Sequence, residues 1–216
     1  MGLFKKKGPP SASDVAKRAR VLAHLVMRNA ACPPPDVLSE FKGRWSSDEW
    51  RKFGKSLESA SAEVVDEIKQ EGIWDAVSRE ERRLFSSPPH ALSTQEAINT
   101  SWRNEALRTI LWALTKFDDV GSYDEETPVE STIRLCFERV DQARAILLPL
   151  QKLQQQRDIA ETWHWRSRTR TLQEGKDPIP MPPGITMNEV IKMSAEGMVE
   201  LGAFPATLGD DFPAMG

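Results

Sequence analysis

The 216-residue chain sets 29 Lys and Arg against 32 Asp and Glu, for a formal charge of −3, and is 39% hydrophobic. A chain of this length can bury about 70% of its unfolded surface, so it needs neither a disulfide nor a metal to fold. The hydrophobic share excludes a disordered tail, and the longest apolar runs, Thr109 to Leu114 and Ala145 to Leu150, fall far short of the ~20 residues that cross a bilayer.

The first ten residues read as a flexible tail. Their Lys5-Lys6-Lys7 cluster is followed by no apolar run and no small-residue cleavage site, which argues against secretion, and Lys6 stands where a myristoylation signal wants Ser or Thr. Cys32 and Cys136 are too few for a disulfide scaffold and lack metal-site spacing, so a reducing cytoplasm is expected. The net negative charge argues against nucleic acid, although Lys17, Arg18, Arg20 and Arg28 make one helix locally basic.

Ser or Thr followed three residues later by Asp or Glu marks helix starts, because the hydroxyl accepts from a first-turn amide and the carboxylate reaches back. The pattern recurs at Ser11/Asp14, Ser46/Glu49, Ser78/Glu81, Ser93/Glu96, Thr127/Glu130 and Thr186/Glu189. Ser122/Glu125 and Thr171/Glu174 also match and are read as accidental. A first helix from Asp14 to Ala30 aligns Val15, Ala19, Leu22 and Val26 and stops at Cys32-Pro33-Pro34-Pro35. A second helical region runs from Asp48 to Glu71, broken near Gly54 and closed by Gly72 with Ile73 placed to touch Ile68. A short helix follows from Arg79 to Phe85.

The widest apolar arc lies on Thr94 to Phe117, where Ile98, Trp102, Ala106, Ile110, Ala113 and Phe117 form one face and Leu107, Leu111 and Leu114 broaden it. This predicts a long central helix with Trp102 in the core, where truncation to Ala would cost about 3–5 kcal/mol. Pro128 then sits at a first helical position after Thr127, opening a helix that aligns Ile133, Phe137, Val140 and Leu147 until Pro149. A further helix continues through Trp163 to Glu174, and a last one spans Met187 to Glu200 after the proline-rich connection Asp177 to Gly184. The expected fold is all-α: an irregular multi-helix array without significant sheet, with a main helical domain over 11–175 and an appended segment over 176–216 that packs back on it.

Three segments carry a resemblance: Ser101-Trp102-Arg103-Asn104-Glu105-Ala106-Leu107 with Leu111-Trp112-Ala113-Leu114; Ala160-Glu161-Thr162-Trp163-His164-Trp165-Arg166-Ser167-Arg168; and Gly209-Asp210-Asp211-Phe212-Pro213. In that order they resemble the bacterial family of domains of unknown function 4272, from about Arg18 to the C-terminus. The resemblance implies a common helical fold and carries over no reaction. Similar sequences run further past Phe212-Pro213, so an additional C-terminal piece is expected.

Weighed as chemistry, Glu105 borders the apolar surface of Trp102 and Trp112, where it is either an acid–base group or a bridge fixing helix register. Glu161, His164 and Arg168 share a helix face, but neither His24 nor His90 has the Glu three residues earlier that a di-iron bundle would need. Trp165 with Arg168 could stack or grip an anion, and Asp210 with Asp211 could hold a hard cation, yet core anchoring and turn capping are the ordinary roles of such residues. No phosphate loop, nucleophile elbow or paired-cysteine motif is present, so no cofactor and no metal is expected. Two functions stay open. One is a non-catalytic interaction module with a protein partner and no membrane or nucleic-acid target. The other is an enzyme, hydrolase-like or metal-assisted, gathering Glu105, His164, Arg103 and Asp210 or Asp211 in one cleft. The three motif segments are expected to converge.

Overall fold

The computed structural model describes residues 9–121, 125–174 and 183–200, with some side chains of the last two helices outside that description. Among the described residues the protein is all-α, without a strand. The helices are α1 (Ala12–Ala30), α2 (Pro35–Arg44), α3 (Ser47–Gln70), α4 (Arg79–Ser86), α5 (Thr94–Ser101), α6 (Arg103–Ala113), α7 (Val129–Arg139), α8 (Leu150–Glu174) and α9 (Met187–Glu200). Short 3-10 turns lie at Trp74–Ala76 and Pro89–Ala91. The chain divides into two compact units, Met1–Leu148 and Pro149–Gly216.

Local chemistry sets most of these boundaries. Ser11, Ser46, Ser78 and Ser93 each accept the amide three residues on, while Asp14, Glu49, Glu81 and Glu96 accept the cap's own amide in return. In the second unit, Thr186 and Glu189 cap α9 in the same way. At the other end of α3, Gly72 adopts φ +67°, and its amide and that of Ile73 reach back to the Lys69 and Ile68 carbonyls at 3.0 and 3.2 Å. This is a left-handed stop that a residue with a Cβ would strain, and it folds Ile73 back into the same apolar cluster as Ile68. Thr115, at φ +61°, closes α6 with the same pair of backbone bonds.

The central helix of the first unit is α1, which packs against α3, α5, α6 and α7. Its two sides feed two apolar clusters. Ala16, Ala19, Leu22 and Ala23 meet Leu107, Leu111, Leu114 and Cys136, whereas Val21 and Leu25 meet Val64, Ile68, Ile73, Val77, Leu84 and Phe85. The small alanines let α6 approach closely, and the two-sided burial makes α1 the structural axis that the stretch 94–117 was expected to be.

Four local expectations are corrected. The stretch 94–117 is interrupted at Trp102, leaving α5 and α6 as separate helices. Helix α3 runs unbroken through Gly54, where a Cβ would stand 3.2 Å from the His90 ring, so the glycine serves close packing rather than a break. Thr127 does not cap α7; Pro128 occupies the N-cap position and Thr127 turns to Glu105 instead. Residues beyond Arg139 leave the helix because the Asp141 carboxylate accepts the Ala143 amide at 2.8 Å, a local bond that competes with the ladder. Val140, Ala145 and Leu147 still pack on the first cluster, and the Leu148 amide donates to Ala113 at 2.9 Å.

Candidate partner-binding site

The interruption at Trp102 arises from hydroxyl groups just before it. Thr100 Oγ1 donates to the Glu96 carbonyl at 2.7 Å and Ser101 Oγ to that of Ile98 at 2.8 Å, which weakens and bends the helical ladder at this point. Beyond the break, α6 is pinned to the segment before α7. The Glu105 carboxylate accepts the Thr127 amide at 2.8 Å and its hydroxyl at 2.6 Å, and Asn104 Nδ2 donates to the Thr127 carbonyl at 2.7 Å. Glu105 is therefore a bridge that fixes register between two elements.

Leu107, Leu111 and Leu114 define the face that α6 buries, with Thr100 and Asn104 continuing it backwards. At about 100° per residue, Trp102 points away from Leu111. The ring is 61% exposed, not a core anchor, and Ile98 and Val129 add apolar surface at 45% and 37% exposure. Below them lies a cavity of about 100 Å³ walled by Trp102, Asn104, Glu105, Glu126, Thr127 and Val129.

Of the other residues singled out from sequence, Arg103 is half-buried and does not line this cavity. The Glu80 carboxyl is held below its usual range chiefly by a hydrogen bond from Arg83, and the charge of Arg103 adds the weakest of its pulls. His164 is exposed on α8 of the second unit, where Glu161 pairs with Arg157 at 3.7 Å. Trp165 and Arg168 belong to α8, but their side chains, and Asp210 and Asp211 entirely, lie outside the described residues. Within the described residues of the first unit, Trp102 and Glu105 of the first motif meet at one cavity.

Sequence reasoning missed a second polar cluster, at the junction of α1, α3 and α7. Arg20 forms a two-pronged ion pair with Glu71 and stacks 4.3 Å from the centre of the Phe137 ring. His24 Nε2 lies 3.0 Å from the Glu71 carboxylate. Arg20, Glu71 and Phe137 edge an open cleft of about 790 Å³ that also takes in Lys116, Arg139 and Asp141. Burial lowers the His24 pKa although Glu71 opposes it, and burial pushes the Cys136 thiol up to about 12. His24 is 1% exposed and Cys136 fully enclosed, so neither meets the cleft as a reactive group. The helical spacing of Arg20 and His24, and of Glu67 and Glu71, was the signal that could have found the cluster.

Arg28 is likewise buried, donating through Nε to Ser61 Oγ at 2.6 Å and through Nη2 to the Ser87 carbonyl. It sits in the last turn of α1, where the helix dipole favours a cation.

Among the described residues of the first unit, these observations define a helical protein with a solvent-facing tryptophan at a helix break, an open cleft edged by the Arg20–Glu71 pair, and buried polar contacts such as that of Arg28. A family model described as Domain of unknown function (DUF4272) matches residues 6–189, and the chain belongs to that family. No curated protein matches the chain, and no solved structure does.

Proposed function

We propose that the protein is a non-catalytic interaction module that binds a protein partner through the face around Trp102. The observation that carries this reading is the 61% exposure of a tryptophan flanked by exposed Ile98 and Val129. Leaving an aromatic of this size in water forgoes burial that the core could have used, and tryptophan is among the residues most enriched at energetic centres of interfaces. Both Glu105 oxygens already accept from Thr127, which supports a structural rather than an acid–base role for the carboxylate.

We place the module in the cytoplasm, a reading supported by two free cysteines. None of the helices among the described residues is long and apolar enough to cross a membrane.

The test is co-purification from the native host with wild-type protein and Trp102→Ala in parallel. A partner retained by the wild type is expected to fall at least about tenfold on the variant, the loss of 1.4 kcal/mol or more typical of a central tryptophan. Equal retention by a folded variant would refute the assignment of this face.

A further inference from the structure

We propose that the cavity beneath Trp102 receives a basic side chain, arginine or lysine, from the partner. The proposal rests on the reading of the Trp102 face and adds the chemistry of what enters it. The polar wall offers acceptors. Glu105 and Glu126 present carboxylates, and among the described residues neither has a Lys, Arg or His as an ion-pair partner. The Asn104 amide is fixed in orientation, because its Nδ2 must face the Thr127 carbonyl that it bonds at 2.7 Å. Its Oδ1 is thereby left as an acceptor with no hydrogen-bond donor, although Asn104 is only 2% exposed. That oxygen is closed to solvent, so it acts through its field: the negative end of the fixed amide dipole adds to the two carboxylates and favours a cation in the cavity.

The remaining walls fit the rest of such a side chain. Trp102 offers an exposed indole face, the best aromatic surface for a cation. Val129 in the wall supplies apolar surface for the methylene stem, which long basic side chains bury while their heads seek polar groups, and exposed Ile98 lies outside the cavity one helical turn before Trp102. At about 100 Å³ the cavity holds one side-chain head and is well below the size of a cofactor site.

The probes are N-acetyl-arginine amide, N-acetyl-lysine amide and the neutral arginine isostere N-acetyl-citrulline amide. The readout is the indole N–H signal of Trp102 in two-dimensional NMR spectra of the full chain, assigned by its disappearance in Trp102→Phe. Both basic probes are expected to shift that signal saturably and citrulline to leave it nearly unmoved. Glu126→Gln, at an exposed position whose loss leaves the fold intact, is expected to weaken the basic probes by about two- to fivefold, the range for an exposed ion pair. Citrulline shifting the signal as strongly as arginine, or no shift with either basic probe, would overturn the proposal. If Trp102→Ala still abolishes partner retention in that event, the interaction face stands and only the identity of the inserted group is wrong.

Discussion

Leu111→Ala is expected to lower the free energy of unfolding by about 2–5 kcal/mol, whereas Trp102→Ala changes it by less than about 1 kcal/mol. Leu111 is fully enclosed between α1 and α7, so its removal leaves a cavity lined by Leu22, Leu107 and Cys136 that the alanines of α1 are too small to fill. Trp102 is already 61% in water and its ring fills no part of either apolar cluster. Urea unfolding followed by circular dichroism measures both variants. Losses of similar size would mean that the tryptophan is packed after all, and the case for a binding face would fall with it.

Glu81→Gln is expected to cost about 1–3 kcal/mol at neutral pH, the range for a buried polar contact broken on one side, since the Arg18 guanidinium left behind is 32% exposed and regains water. Glu81 is 1% exposed, receives Arg18 Nη1 at 2.6 Å, and caps α4 by accepting the Ser78 amide at 3.0 Å. Burial alone would raise its pKa, but the Arg18 and Ser78 hydrogen bonds outweigh burial and hold it below the ordinary carboxylate value. Because the folded-state pKa is depressed, the charged carboxylate stabilises the fold fully above the unfolded value of about 4.3 and loses that contribution as pH falls through the folded pKa. The stability gap between wild type and Glu81→Gln should therefore be widest above about pH 5 and narrow progressively in acid. A gap that does not change with pH would show that the lost geometry, rather than the charge, explains the effect.

Much of the fold was legible because the signals were local. A serine and a carboxylate three residues apart act within one helical turn, and every serine-led pair read as a helix start forms its box. Gly72 likewise declares its left-handed turn without reference to the rest of the chain. Local reading failed where a long-range partner decided the outcome. Thr127 looked like a cap, but Glu105, distant in sequence, captured both its amide and its hydroxyl. Gly54 looked like a break because sequence does not show the His90 ring that lies against it.

The site was half legible for the same reason. Trp102 and Glu105 were found by their unusual company, but the apolar arc of 94–117 was centred about 100° from the stripe that α6 buries, which placed Trp102 inside. Two apolar stripes competed on that stretch, and only the packing of α1 against Leu107, Leu111 and Leu114 selects between them. Asn104 carried no sequence signal, since its unsatisfied oxygen exists only because Thr127 claims the other half of the amide.

The most direct measurement is site-specific photo-crosslinking in the native host, with a benzophenone side chain replacing Ile98 beside Trp102 and, as a control, Lys55 on the exposed surface of α3. The account predicts a discrete crosslinked product from position 98 that vanishes when Trp102→Ala is added, and none from position 55. A product of equal yield from both positions, or one from position 98 indifferent to Trp102, would contradict it.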